Sequence, residues 1–284
     1  MKFIIIFLII TGSIFAAESY KKLTDIPFIK NHVKNQKLDL YLPSKVKNPK
    51  LLVWIHGGAW RRGDKKSVPV KQLLKKGYAI ASVNYRLSPE AKFPAQIHDL
   101  KASIRFLRAN AEKYGYKAEK IAILGSSAGG HLVALLAVTN GHKELEGNLG
   151  EHLNVSSDIQ AAVNYYGPTN FMTILKQSTP HGLSVRVPAL ELLLGDRPEK
   201  KQELAKLASP VNHVDKNDPP MLIYHGDQDP QVPINQSHEL YGKYLEHKLP
   251  CEFKVVYGGA HGGKGFFTDK QMSEIDKFLQ STLK

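Results

Sequence analysis

The sequence predicts an α/β fold, a mostly parallel sheet with helices on both faces. Three observations carry this. Short apolar runs recur at Leu51–Ile55, Tyr78–Asn84, Ile121–Leu124, Ile159–Tyr166, Met221–His225 and Glu252–Tyr257. Helix-patterned stretches separate most of them, which favours parallel pairing through crossovers. Continuous rather than alternating hydrophobicity marks strands buried on both sides. At 284 residues and 42% hydrophobic, the chain is long enough for one large core.

In order along the chain, residues 1–17 read as a signal peptide. Met1-Lys2 precedes an apolar run from Phe3 to Ile10, and small residues follow, with cleavage expected near Ala16 or Ala17. That run is short for a bilayer span. Export, secreted or periplasmic, is the expectation, with no stable membrane insertion afterwards. Residues 18–284 then form a single domain. Phe28–Val33 and Lys37–Leu42 are β-prone and suit an antiparallel edge. Helix is expected over about Val68–Lys76, stopped by Gly77 as a left-handed C-terminal residue.

Pro94 suits a first helical turn. After it Ile97, Leu100, Ile104, Leu107 and Ala111 fall on one helical face, ending near Gly115. Residues of about 169–213 break the alternation, with Pro180, Pro188, Gly195 and Pro198 interrupting short apolar pieces. This stretch is read as a cap or lid inserted into the domain. Helices Asn235–Lys248 and Lys270–Leu283 complete the pattern.

The chemistry is concentrated in loops that follow strands, where open parallel sheets place their sites. Ile121–Leu124 runs into Gly125-Ser126-Ser127-Ala128-Gly129 and then a small-residue helix. This is the form of a nucleophile elbow, a tight turn that presents Ser127 above a helix N-terminus. Leu51–Ile55 runs into His56-Gly57-Gly58-Ala59-Trp60, an HGGG-type loop with alanine at the third glycine. Gly58, Ala59 and Ala128 are the expected backbone donors of an oxyanion hole. Trp60 and Ser126, beside these donors, are the candidate substrate contacts.

Met221–His225 leads into Gly226-Asp227-Gln228-Asp229, and Glu252–Tyr257 into Gly258-Gly259-Ala260-His261. A serine hydroxyl needs a base, and that imidazole needs a carboxylate to fix its tautomer. Ser127, Asp229 and His261 are the candidate triad. Asp229 is preferred to Asp227 because it lies further into its loop, and His261 to His225 and His213 because of its glycine-rich loop after the last strand. The order serine, acid, histidine separates this arrangement from trypsin-like and subtilisin-like enzymes.

Together with Asn84-Tyr85-Arg86-Leu87-Ser88-Pro89-Glu90 and Phe93-Pro94-Ala95 through Asp99, these motifs resemble the esterase/lipase α/β-hydrolases. Within them the chain is most similar to bacterial bifunctional feruloyl and acetyl xylan esterases, from about Lys37 to the C-terminus. The resemblance implies a serine carboxylesterase acting on short acyl, acetyl or feruloyl esters, expected to be small molecules or polysaccharide. It also implies a structural ion pair between Arg86 and Asp99. A peptidase or lipase of the same fold is the alternative, the lipase opposed by a polar, proline-broken lid. A non-catalytic binding protein on this scaffold is a further one, opposed by the full set of triad residues.

Net charge is +13, which favours anionic surfaces such as acidic polysaccharide or envelope lipid. The lysines are scattered, so a solvated lysine-rich surface is expected and nucleic-acid binding is not. With one cysteine, Cys251, no intramolecular disulfide can form. It is expected as a small buried hydrophobe just before a strand. No paired-histidine motif, cysteine cluster or nucleotide-type glycine loop stands out, so neither metal nor cofactor is expected.

Overall fold

The structure, a computed structural model, describes residues 20–31 and 34–284. The expected signal peptide falls outside the described residues. Eight strands form one sheet: β1 (Tyr20–Pro27), β2 (Lys37–Pro43), β3 (Lys50–Ile55), β4 (Ala79–Val83), β5 (Lys117–Ser126), β6 (Ala161–Tyr165), β7 (Met221–Gly226) and β8 (Cys251–Val256). Their spatial order is β1-β2-β4-β3-β5-β6-β7-β8. The pairs β1–β2 and β2–β4 are antiparallel and the other five parallel.

The sheet separates two cores. Leu51, Val53 and Ile55 of β3 point into one, with the helices Ala95–Ala109 and Ala128–Ala137. Leu52 and Trp54 point into the other, with Met272, Ile275 and Leu279 of the Asp269–Thr282 helix. This period-two division explains why β3 reads as apolar at every position after Lys50.

Four local expectations are corrected. The edge partner of β2 is Tyr20–Pro27, whereas Phe28 to Asn31 bend and turn. β1 is mostly solvent-exposed, so it carries no apolar alternation to reveal it. Before Gly77 the chain forms a 3₁₀ helix over Lys71–Lys76, with Gly77 left-handed at φ 91°. The 169–213 stretch, expected as a cap, holds a 15-residue helix, Pro180–Leu194, rather than broken pieces. Pro180 occupies its first turn, where its missing N–H costs nothing, and Thr179 caps it by accepting from Gly182 N. Pro188 removes one donor inside the helix without ending it. Finally, Cys251 opens β8 instead of preceding it, pairing with Met221. It is only partly exposed, and burial pushes its thiol up to about 12.

Among the described residues no helix is long and apolar enough to cross a membrane.

Candidate active site

β3 and β5 are neighbours, with Ile55 opposite Gly125, so their C-terminal loops meet. The turn after β5 is very tight. A Cβ on Gly129 would lie 2.2 Å from Ile55 O, and one on Gly125 2.6 Å from Gly129 O. Only glycine permits that approach. Ser127 itself takes φ 55° and ψ −121°, a conformation that costs an L-residue about 1–3 kcal/mol. Its amide donates to Tyr165 O at 2.9 Å, holding the turn against β6.

The loops after β7 and β8 bring the remaining groups in. His261 Nδ1–H donates to Asp229 Oδ2 at 2.7 Å. That tautomer leaves Nε2 to accept from the Ser127 hydroxyl, 2.8 Å away. Asp229 has no exposed side-chain surface, and its Oδ1 accepts the amides of Gln231 and Val232 at 2.8 and 2.9 Å. Burial alone would raise its carboxyl. The hydrogen bonds from His225, His261 and Val232 outweigh that and hold it well below the usual carboxylate range. Asp227 is elsewhere engaged, its Oδ1 accepting the Gly258 amide at 2.7 Å to organise the turn.

A cavity of about 240 Å³ opens over Ser127 and His261. Gly57, Gly58 and Ala59 line it from one side, Ser126 and Tyr166 from another. Gly58 at φ 111° and Ala59 at φ 53° are both left-handed, and neither amide donates to another backbone group among the described residues. Ala128 begins the helix after Ser127, and no side chain caps that end. Gly58 and Ala59 thus bring backbone amides to the cavity wall, and the N-terminus of the Ala128–Ala137 helix follows Ser127 directly.

Ser126 thus lies on the cavity as expected, but Trp60 does not. Trp60 is fully buried, its Nε1–H donating to His131 Nδ1 at 3.1 Å and its ring edge-on to Phe171. With φ 59° the backbone reverses at this residue and carries the indole into the core. His131 Nε2–H in turn donates to Ala208 O at 2.7 Å, and burial lowers its imidazole to about 4, so it stays neutral.

Of the competing histidines, His213 lies at the end of the 169–213 segment, bonded to Leu207 O, whereas His225 is fully buried beside Asp229. Sequence reasoning left out Tyr166, Arg61, Arg62, Arg186 and Gln231, all of which line the cavity. Tyr166 follows β6 directly and packs its ring 4.8 Å from that of His261. Its position at a strand's carboxyl end was the available signal. Arg186 comes from the cap helix, where no motif points to it.

The expected ion pair beside the site is present. Arg86 Nη2 and Nε reach Asp99 Oδ1 and Oδ2 at 2.8 and 2.9 Å, and Arg86 N donates to Oδ2 at 2.8 Å. Asp99 is wholly buried, so the pair fixes the chain after β4 against the Ala95–Ala109 helix. Among the described residues no group of three or more His, Cys, Asp or Glu could hold a metal.

Comparison with known proteins agrees with this architecture. A family model described as BD-FAE matches residues 38–244, a span holding Ser127 and Asp229 and ending before His261. Esterase LipC of Mycobacterium tuberculosis is 33% identical over 191 residues, 66% of this chain and 46% of its own length. This chain spans less than half the length of that and the next two mycobacterial relatives. The solved structure of a truncated carbohydrate esterase from gut microbiota aligns with TM-score 0.87 at 35% identity, covering 94% of this chain and 98% of that one. A bifunctional GH43-CE of Bacteroides eggerthii aligns with TM-score 0.84 at 35% identity, over 92% of this chain and 35% of its own. With the motifs, the sheet order and these matches in hand, the chain belongs to the BD-FAE family and has the α/β-hydrolase fold.

Proposed function

We propose that the chain is a serine carboxylesterase with Ser127, His261 and Asp229 as its triad. The carrying observation is the unbroken hydrogen-bond chain from the Ser127 hydroxyl through His261 to a buried, ionised Asp229, open to a cavity edged with free amides. In the reaction Ser127 Oγ attacks the ester carbonyl while His261 Nε2 takes its proton. The oxyanion is held by the amides of Gly58, Ala59 and Ala128, each such donor contributing about 3–4 kcal/mol. His261 then protonates the leaving alcohol, and a water activated by the same nitrogen cleaves the acyl-enzyme.

Acetyl or feruloyl esters of polysaccharide are the substrates we favour. A neighbour at 35% identity is named a carbohydrate esterase, and a leader at 1–17 would export the enzyme to such material. The lipase alternative fits the cavity poorly, since Arg61, Arg62 and Arg186 are among the residues that line it. The test is labelling by a fluorophosphonate together with turnover of p-nitrophenyl acetate. Ser127→Ala should remove both, with a loss of at least about 10³-fold and unchanged circular dichroism. Retained turnover in that variant would refute the assignment. Comparing short acyl, long acyl, feruloyl and aminoacyl-amide substrates separates esterase from lipase and peptidase.

A further inference from the structure

Four cations are buried among the described residues: Lys65, Lys101, Arg105 and Arg186. Lys65 is paired with Asp39 at 2.7 Å and with Asp25 at 2.8 Å. Lys101 is paired with Glu146 at 3.0 Å, and Arg105 with the same carboxylate. Arg186, 1% exposed, is the exception: its Nε and Nη1 are buried with no hydrogen-bond partner.

This guanidinium belongs to the Pro180–Leu194 cap helix and lines the same cavity as Ser127 and His261. Arg61 and Arg62, from the loop after β3, line it too, and neither has a carboxylate partner among the described residues. The carboxylate whose charge favours Arg186 is Asp229, but both its oxygens are already taken by His261 and by the amides of Gln231 and Val232. Burial, opposed by Asp229 and aided by Arg61, lowers Arg186 to about 10, so it remains charged at neutral pH. A buried charge is costly unless it is paired or hydrogen-bonded, and Arg186 has neither kind of partner among the described residues. None of the Arg186 donors has a hydrogen-bond partner among the described residues, and Nη1 with Nη2 forms the edge of the guanidinium that matches a planar carboxylate in bidentate geometry.

We propose that Arg186, with Arg61 beside it, binds a carboxylate carried by the substrate, so that the ester cleaved is an O-acyl group on a uronic acid unit. The +13 net charge of the whole chain has the sign that suits a polyanionic substrate. This rests on the esterase reading above and specifies its substrate. A carboxylate could also sit on the acyl part, as in a half-ester of a dicarboxylic acid, so the test has two arms.

In the first arm, kcat/KM is compared between an O-acetylated methyl galacturonide and its neutral methyl ester. In the second, p-nitrophenyl hemisuccinate is compared with p-nitrophenyl butyrate. The wild type should favour the free uronide by at least tenfold, and show no such preference in the second arm. Arg186→Gln should bring the uronide ratio close to one, with Arg186→Lys intermediate. A wild-type ratio near one, or a ratio kept by a folded Arg186→Gln, overturns the proposal. A preference confined to hemisuccinate overturns the uronide assignment. Should Arg186→Gln fail to fold, Arg61→Gln should lower the same ratio, and an unchanged ratio there counts against the proposal. Calorimetry of the wild type with methyl galacturonide and methyl galactoside needs no turnover: tighter binding of the acid supports the site, and equal binding opposes it. Absence of any fluorophosphonate labelling or p-nitrophenyl acetate turnover would instead sink the esterase reading.

Discussion

His225 Nε2 lies 3.3 Å from Oδ2 of Asp229, the same oxygen that accepts the His261 Nδ1–H hydrogen bond at 2.7 Å. His225 Nε2–H also donates to Val232 O at 2.9 Å, and its Nδ1 accepts from the Ser237 hydroxyl at 2.7 Å. Both ring nitrogens are therefore engaged, which fixes the imidazole in place beside the carboxylate. It acts on the reaction through Asp229, as a positioning residue. His225→Leu should lower kcat/KM about tenfold, equivalent to about 1.4 kcal/mol. It should also move the acid limb of the pH–rate profile upward, because a less solvated carboxylate favours the imidazolium of His261. His225→Gln, which keeps a donor there, should recover much of the loss. An unmoved acid limb in a folded His225→Leu would reduce His225 to a packing role.

The two acids of the loop after β7 are expected to differ sharply. Asp229→Asn leaves the geometry but offers His261 an amide, favouring the wrong tautomer, and should cut kcat by about 10⁴-fold. Asp227→Asn should change it by less than about threefold, since the turn bond to Gly258 survives with an amide oxygen. Steady-state turnover of p-nitrophenyl acetate measures both, and equal losses would contradict the roles given to them.

Gly129→Ala tests the elbow. Its added methyl would meet Ile55 O at 2.2 Å and His56 O at 2.6 Å, both backbone atoms that cannot swing aside. A loss of about 3 kcal/mol or more is expected in urea unfolding, with activity falling in the remaining folded fraction. Near-wild-type stability would show the turn to be looser than these contacts imply.

Asp218 gives a pH signature in stability. Burial pushes its carboxyl up to about 7, while the hydrogen bond from Asp215 N opposes that. The unfolded chain ionises this group near its ordinary value of 3.8, so between roughly pH 4 and 7 the folded state binds the extra proton. Its contribution therefore favours folding at low pH and is lost as pH rises through that window. Asp218→Asn should remove this fall, so that the variant gains on the wild type as the pH approaches neutrality. Parallel urea midpoints for the two proteins at pH 4.5 and 7.5 would fail to show it by keeping a constant offset.

Much of the fold was legible in the sequence because buried parallel strands announce themselves. The inner stretches of β3, β5 and β7 are continuously apolar, and each strand is followed by a loop too rich in glycine or acid to be anything but functional or tightly turned. β1 was missed for the opposite reason: an exposed edge strand of lysines and an aspartate has no periodicity to read. Ser127, Asp229 and His261 stood out because three residue types, in one order, each followed a strand end. Trp60 misled because proximity in sequence to the donor loop says nothing about which way a left-handed residue turns its side chain. Arg186 was invisible for want of any local pattern. Its meaning lies in the absence of a partner, which only three dimensions reveal.

The cap helix that carries Arg186 is a single contiguous insertion between β6 and β7, whereas the nucleophile, base and acid are anchored on the sheet itself. In the reading proposed above, the Arg186 contact is thus encoded by a length of polypeptide separate from the triad, while Arg61 comes from the donor loop after β3. Exchange of that one loop-to-loop cassette would alter the cavity wall that Val185 and Arg186 supply while leaving Ser127, Asp229 and His261 in their own loops.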